Sequence, residues 1–522
     1  MIHYFSLTLE TLIMMRSLPV LCLFLATLSA CSGGIRSYEK TVTRATDLQQ
    51  ESRLARSVRR LGNPGDGRSG VRLISNGEEA LAARLLIASR AERSIDAQYY
   101  LLHDDPTGHI FAASLLEAAD RGVRVRLLLD DMYNAGYDPM TAALDQHPNI
   151  EIRLFNPVWR DRGRIRAGLT DFKRINRRMH NKSMTSDNAV TIVGGRNIGA
   201  EYFLAKKEMN YADLDVLAVG PVAVQVSNSF DQYWNSRAAV PAKVVIGESA
   251  AYGIEDARAR LLELVDQAKQ TPFAEALVRK GRSSFSKDSF SLSWVPAQLY
   301  ADHPSKVAGA ESEDPVLASQ LIPYFQAAEN DVQVISGYFV PRSSGVKWMT
   351  ELEDRGVDVR VITNSLGSND VDLVYAHYAK KRKSLLRGGV ELYELRPDLN
   401  FVQHRGSAWE HSRSGLHSKA FAIDDRYLFI GSFNWDPRSV NINTEMGILI
   451  DSPPLTKKAM QAVNGVLDAN TFHVQLSKAE ILTWTTQRED GVMLRYNSEP
   501  TGKFWDHLWT GFLGILPIGS QL

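Results

Sequence analysis

Met179-His180-Asn-Lys182-Ser-Met-Thr-Ser-Asp187 and Leu416-His417-Ser-Lys419-Ala-Phe-Ala-Ile-Asp424 share one spacing within a chain of 522 residues. An apolar run follows each string and closes on an asparagine, Asn197 in the first case and Asn434 in the second. The histidines are offset by 237 residues (417 less 180), and the asparagines keep the same offset. The repeat extends outward. Arg121-Gly-Val-Arg-Val-Arg-Leu-Leu-Leu-Asp130 answers Arg355-Gly-Val-Asp-Val-Arg-Val-Ile-Thr-Asn364, and Ile150–Pro157 answers Val390–Pro397. A period this long implies two duplicated domains rather than a solenoid of small units.

Within each half, strand-like and helix-like segments alternate. Ser94–Tyr100 and Val123–Asp130 read as strands, and residues 108–122 between them read as an amphipathic helix closed by glycine. Strand-helix-strand order implies parallel strands with helices on both faces. The expected fold is therefore α/β, with two homologous domains of mixed, largely parallel sheets flanked by helices, packed as a bilobed pseudo-dimer. Residues 71–245 form the first domain and 311–490 the second. Residues 246–310 read as a connector holding one helical segment, 32–70 as a polar, Arg-rich tether, and 491–522 as an aromatic tail.

If each His and Lys lies on a strand, their i, i+2 spacing turns both to one face. Asp187-Asn188 and Asp424-Asp425 are turn-type pairs where that strand reverses, so the returning strand delivers Asn197 or Asn434 beside its own His–Lys pair. This set suits a phosphodiester. An imidazole with a reference pKa of ~6.5 serves as nucleophile or acid near neutrality. Lysine and amide donors neutralise the equatorial oxygens. Two sets face to face supply a nucleophile, a leaving-group acid and a two-sided clamp, the acid alone being worth about 10²–10⁴ in rate. The lysines carry the positive charge, so no metal or cofactor is required, and no cluster of metal ligands stands out.

The paired strings resemble the HKD motifs of the phospholipase D superfamily. Their surroundings are similar to its bacterial cardiolipin synthases, through DAQYYLLHDDPTG, FKRINRRMHNKSM, TIVGGRNIGAEYF, TNSLGSNDV and IGSFNWDPRSVNINTEMG, which fall within residues 72–450. The resemblance implies phospholipase D-type domains and a set of roles. His180 is the nucleophile that forms a phosphohistidine, and His417 protonates the leaving alcohol and then activates the acceptor. Lys182, Lys419, Asn197 and Asn434 bind phosphate. A downstream acid orients each histidine, for which Asp213 and Glu445 match. Asp187 and Asp424 complete the catalytic motifs, although their place at turns suits scaffold support. The near symmetry of the halves leaves open which histidine attacks.

The implied activity is phosphatidyl transfer at a membrane surface, making cardiolipin from phosphatidylglycerol and a second phospholipid such as phosphatidylethanolamine. The same site with water as acceptor would release phosphatidic acid. An exported nuclease is a third reading, but 60 basic residues against 60 acidic ones remove any global attraction to nucleic acid. A non-catalytic envelope protein would be expected to carry degenerate motifs, and both motifs are complete. No protein partner or oligomeric state is implied.

Residues 1–31 read as a lipoprotein-type signal peptide. The apolar run Leu18–Ala30 follows Arg16, has the length of a signal-peptide core, and falls short of the ~20 residues that span a bilayer. It closes on Leu28-Ser29-Ala30-Cys31, similar to a bacterial lipobox, with cleavage before Cys31 and lipidation on it. A short uncleaved anchor is the alternative, and Met14 or Met15 is an alternative start. The chain is thus placed in the bacterial cell envelope facing the periplasm, with Ser32 favouring the outer membrane. Cys22 and Cys31 are the only cysteines, which excludes a disulfide framework. Arg160, Arg162, Arg164, Arg166, Lys173, Arg174, Arg177 and Arg178 read either as a basic rim for anionic headgroups or as a solvated face. Residues 504–516 read as an interfacial helix or a docked terminal one.

Overall fold

The computed structural model describes residues 38–45, 51–62, 64–162, 170–247, 252–308, 314, 316–398, 413–488, 490–502, 510 and 513. The signal-like segment with Cys31 lies outside them, as do Arg164, Arg166 and the tail aromatics Phe504, Trp505, Trp509 and Phe512. No helix among the described residues is long and apolar enough to cross a membrane.

Each half is built on one large sheet. The first half contributes β1 (Ser69–Ile74), β2 (Ser94–Tyr99), β3 (Arg124–Asp130), β4 (Ile150–Phe155), β5 (Ser183–Ser186), β6 (Val190–Gly194), β7 (Met209–Ala212), β8 (Asp215–Val219), β9 (Ala239–Pro241) and β10 (Ser293–Val295). The second contributes β11 (Ala297–Ala301), β12 (Asp331–Ser336), β13 (Asp358–Asn364), β14 (Glu391–Leu395), β15 (Arg413–Leu416), β16 (Lys419–Ile423), β17 (Tyr427–Gly431), β18 (Met446–Asp451), β19 (Thr471–Leu476), β20 (Leu482–Gln487) and β21 (Met493–Tyr496). The sheet orders are β10-β1-β8-β6-β5-β2-β3-β4-β9 and β11-β18-β17-β16-β12-β13-β14-β19-β20-β21.

The parallel share is smaller than the strand–helix alternation suggests. β2, β3 and β4 run parallel, as do β12, β13 and β14, and every other pairing within the two sheets is antiparallel. The reason lies in the motifs themselves. Each sits at the head of a hairpin, β5–β6 or β16–β17, that joins the parallel trio antiparallel. The crossover helices follow local signals. Helix Pro106–Asp120 is capped by the Asp105 carboxylate and closes before Gly122, at φ 88°. Its counterpart, Ser343–Asp354, closes before Gly356, at φ 83°.

Apolar packing holds the halves together. Val193, Val216 and Val226 of the first half share one buried cluster with Ala420, Ile430 and Ile448 of the second. The stretch 246–310 is more than a connector. Helices Ile254–Lys269 and Pro272–Ser284 bury Leu261, Phe273 and Leu277 in the first core. Beyond them β10 and β11, on either side of Pro296, edge one sheet and then the other. Part of the supposed tether is docked as well. Arg126 and Arg153 donate to the backbone carbonyls of Thr43 and Thr41, at 3.0 and 2.7 Å.

Candidate active site

The two motifs meet at the junction of the halves. β7 pairs in parallel with β15, and Met179 forms a parallel bridge with Thr444. Through these contacts the His417 amide donates to the Ala212 carbonyl at 2.9 Å, and the His180 amide donates to that of Thr444 at 2.9 Å. Each histidine therefore lies just before its strand, on a short link tied to the opposite half. The residues ahead of the histidines are anchored alike. Asp130, ending β3, accepts from the Met179 amide at 2.9 Å, and Asn364, ending β13, accepts from that of Leu416 at 2.8 Å. In the first half this anchor is a buried ion pair, Asp130 with Arg178 at 2.7 Å.

The acids cross between the halves. His417 Nδ1 lies 2.6 Å from Asp213 Oδ2, and His180 Nδ1 lies 2.9 Å from Glu445 Oε2. Each motif thus takes its carboxylate from the other half, not from downstream in its own. The cause is the interlobe pairing: Asp213 directly follows β7, and Glu445 follows the bridged Thr444. Glu445 also accepts from the hydroxyls of Ser432 and Ser439, at 2.5 and 2.8 Å. Where the repeat puts Ser432, the first half has Gly195. A Cβ there would fall 2.2 Å from Asp213 Oδ1, so glycine lets that acid press against the backbone.

Lys182 and Lys419 fold back so that each ammonium donates to the carbonyl of its own histidine, at 2.6 Å for Lys182. Tyrosine rings wall the pairs. Tyr100 lies edge-on to His180 at 5.1 Å, while Tyr202, Tyr211 and Tyr338 surround His417 at 5.0, 5.3 and 6.3 Å. Asn197 donates to the Tyr202 hydroxyl at 3.0 Å, and the carbonyl oxygens of Asn197 and Asn434 are buried without a hydrogen-bond partner. Rotating the Asn197 amide would let Tyr202 donate to Oδ1 and turn N–H groups toward an anion.

Electrostatically the site is built for an anion. Burial, reinforced by both lysines, lowers His180 to about 4 and His417 to about 3, so both imidazoles are neutral at pH 7 in the ligand-free protein. Burial also lowers Lys182 to about 7 and Lys419 to about 8, the carboxylates opposing it. His417 and Lys419 overcome burial to hold Asp213 down at about 2. The lysine values set a direction, because a lysine must be protonated to hold an anion and these lose the proton as pH rises past 7 and 8. Affinity for sulfate, whose charge does not change across this range, should fall about 10–100-fold between pH 7 and pH 9.5. Isothermal calorimetry would read this, with Lys182→Met as the control; a flat profile would contradict the placement of the lysines at the anion.

Asp187 and Asp424, counted in the catalytic motifs, belong to the scaffold. The Asp187 carboxylate accepts from the backbone amides of Glu92, Arg93 and Ser94, and Asp424 accepts from those of Glu329, Asn330 and Asp331. Both residues take positive φ, near 53° and 54°, which Asp tolerates better than most. Asp187→Ala should cost about 2–4 kcal/mol, because it strands partly buried amides. Asp424→Ala should cost about 1 kcal/mol, because water reaches most of its amides. Urea unfolding with an active-site titration would measure both. Unchanged stability with a large loss of turnover per folded molecule would return these residues to the chemistry.

The basic-rim reading fails for Arg160, Arg174 and Arg178. Arg160 is bound to Asp131 and Asp138, Arg174 to Asp171, and Arg178 is buried against Asp130. Sequence reasoning also missed the tyrosine walls, the two serines on Glu445 and the Asp130 and Asn364 anchors. Only the anchors left a signal, since each is the last residue of a repeated strand. Among the described residues one group, His103, Asp105 and Glu201, has the makings of a cation site. Asp105 there is already spent on the N-terminus of helix Pro106–Asp120.

Known proteins resemble this chain. A family model described as "Cardiolipin synthase, PLD-like domain" matches residues 86–234 and again 321–467. Cardiolipin synthase C of Escherichia coli (strain K12) is 38% identical over 474 residues, spanning 89% of this chain and 99% of that one. Cardiolipin synthase A of Pseudomonas syringae pv. syringae (strain B728a) is 26% identical over 402 residues, 76% of this chain and 68% of that one. Among solved structures, phosphatidylserine synthase of Haemophilus influenzae Rd KW20 superposes with a TM-score of 0.53 at 14% identity, covering 80% of this chain and 92% of that chain, a likeness of fold.

Proposed function

This chain belongs to the PLD-like family of cardiolipin synthases, and from that premise we propose that it is a phosphatidyltransferase joining the phosphatidyl group of one phospholipid to phosphatidylglycerol. The observation that carries the reading is the crossed geometry, His180 on Glu445 and His417 on Asp213, which makes one site from two halves. His180 Nε2 attacks phosphorus, the bond to the headgroup oxygen breaks, and His417 gives that oxygen a proton. A hydroxyl of phosphatidylglycerol then gives its proton to His417 and attacks phosphorus, and the bond to His180 breaks. Lys182, Lys419, Asn197 and Asn434 hold the phosphoryl oxygens.

The depressed His417 does not oppose this role. Burial is the main cause of the depression and the two lysines add to it. A bound phosphodiester opposes both by placing negative charge beside the imidazole and the lysines, which favours a proton on Nε2 while Nδ1 stays on Asp213. Glu445 fixes the tautomer that leaves His180 Nε2 free to attack. As an enzyme acting on phospholipids the protein works at a membrane. Its finer placement, a lipoprotein anchored through Cys31 and facing the periplasm, rests on the lipobox-like string alone. The second lipid is another phospholipid, phosphatidylethanolamine being one candidate.

The test is to trap the intermediate. His417→Asn, given phosphatidyl-4-nitrophenol and quenched in base, should carry a phosphatidyl group on the peptide holding His180. 4-Nitrophenolate leaves without an acid, so the first step survives while the second stalls. An unmodified His180 peptide with continued product release would overturn the assignment.

A further inference from the structure

The halves repeat one another closely at the rim of the site, and that repetition exposes a difference. In the first half the His103 amide donates to the Ile198 carbonyl at 2.9 Å, beside a Leu102–Ile198 bridge. In the second the Val340 amide donates to the Trp435 carbonyl at 2.8 Å, beside a Phe339–Trp435 bridge. The backbone is the same, but the surroundings are opposite in character. The first half places His103, Asp105 and Glu201 there. The second opens a cavity of about 480 Å³ lined chiefly by Leu321, Phe325, Val340, Trp348, Trp435 and Val440.

The fold therefore does not require an apolar hollow at this position, since its counterpart is polar. The cavity also lies beside segments that carry the catalytic centre. Its wall residue Trp435 directly follows Asn434, and Val340 lies two residues beyond Tyr338, whose ring covers the Lys419 ammonium at 5.7 Å. Trp348 and Trp435 stack at 5.5 Å and are only partly buried, so their faces are offered to an occupant. At the mouth Ile322 is 48% exposed. The size falls within the ~300–1,000 Å³ typical of small-molecule sites. A hydrocarbon chain tethered to a phosphate at the two histidines is the chemistry that such a hollow, at such a place, would take.

Resting on the phosphatidyl-transfer reading above, we infer that this cavity seats one acyl chain of the phospholipid whose phosphate lies between His180 and His417. The chain enters on the second-half side, past Ile322. At the matching rim position of the first half, beside Ile198, His103, Asp105 and Glu201 present polar groups instead, so the pseudo-symmetric centre acquires a direction.

Two variants test this without touching the chemistry. Gly345 lies on the cavity wall, and a Cβ there meets only Pro341 at 3.4 Å and Trp435 at 3.7 Å, so Gly345→Leu fills the space from a helix that accepts it. Ile322→Asp puts a charge at the mouth. Wild-type kcat/KM on short-chain phosphatidylglycerols below their micelle concentrations should rise with chain length, by up to about fourfold per methylene buried. Both variants should flatten that slope at least threefold while leaving turnover of bis(4-nitrophenyl) phosphate, which has no acyl chain, within about twofold. Tryptophan quenching by a brominated-chain phosphatidylglycerol should weaken in both variants as well, a readout that needs no turnover. An undiminished slope and undiminished quenching in both would overturn the acyl seat. Failure of the wild type to turn over any phospholipid, with bromolipid quenching still lost in the variants, would instead count against phosphatidyl transfer and leave the seat standing.

Discussion

His180→Ala and His417→Ala should each lower phosphatidyl transfer by about 10⁴–10⁶, and the double variant should be no worse than the more damaged single one. The expectation follows from geometry. Each histidine's backbone is tied to the opposite half, at Thr444 and Ala212, and each takes its acid from there, so neither half holds a complete site. Residues that act as a unit give non-additive losses. Two independent sites would behave differently, each single variant keeping about half of the activity. A substrate with 4-nitrophenol as leaving group separates the roles. It should restore a first-turnover burst to His417→Ala, because that leaving group needs no proton, and restore nothing to His180→Ala. The reverse pattern would exchange nucleophile and acid while leaving the shared site intact.

The second large effect lies at the crossed acids. Asp213→Asn and Glu445→Gln should each reduce kcat by about 10²–10⁴ with KM changed no more than a few-fold. An amide keeps the volume of the carboxylate but removes the charge that fixes the Nδ1–H tautomer and stabilises the imidazolium. The sign at His417 is definite. Its Asp213 partner raises a pKa that burial and the lysines hold near 3, so removing the charge lowers it further. The acid then holds its proton less well at neutral pH. The loss in Asp213→Asn should shrink with a 4-nitrophenol ester, which does not need that proton. Glu445 is held by Ser432 and Ser439 besides His180, so Glu445→Gln keeps partners for its oxygen and should be the milder variant. Losses below about threefold in both would show that the acids only pack against the imidazoles.

The motifs were legible because their chemistry is local. His180 with Lys182, His417 with Lys419, and the turns at Asp187 and Asp424 each depend on a few neighbouring residues; the turns fall where expected, while His180, Lys182 and His417 lie just ahead of their strands and not on them. The partners of the histidines were not legible. Whether Asp213 serves His180 or His417 is decided by β7 pairing with β15, four-residue strands from opposite halves with no periodicity to reveal them. Helix Pro272–Ser284 was hidden for another reason. Its serine-rich end resembles a linker, and only burial of Phe273 and Leu277 against the first core makes it part of the domain. Arg160 and Arg178 looked like part of a lipid-facing patch because their partners Asp130, Asp131 and Asp138 lie some way back in the chain.

The most direct measurement is the lipid product itself. Purified protein in detergent, with phosphatidylglycerol and phosphatidylethanolamine, would be followed by mass spectrometry beside His180→Ala and His417→Ala. Cardiolipin from the wild type and none from either variant is the predicted result. Phosphatidic acid without cardiolipin, or cardiolipin persisting in either variant, would contradict a transferase whose one site is shared between the halves.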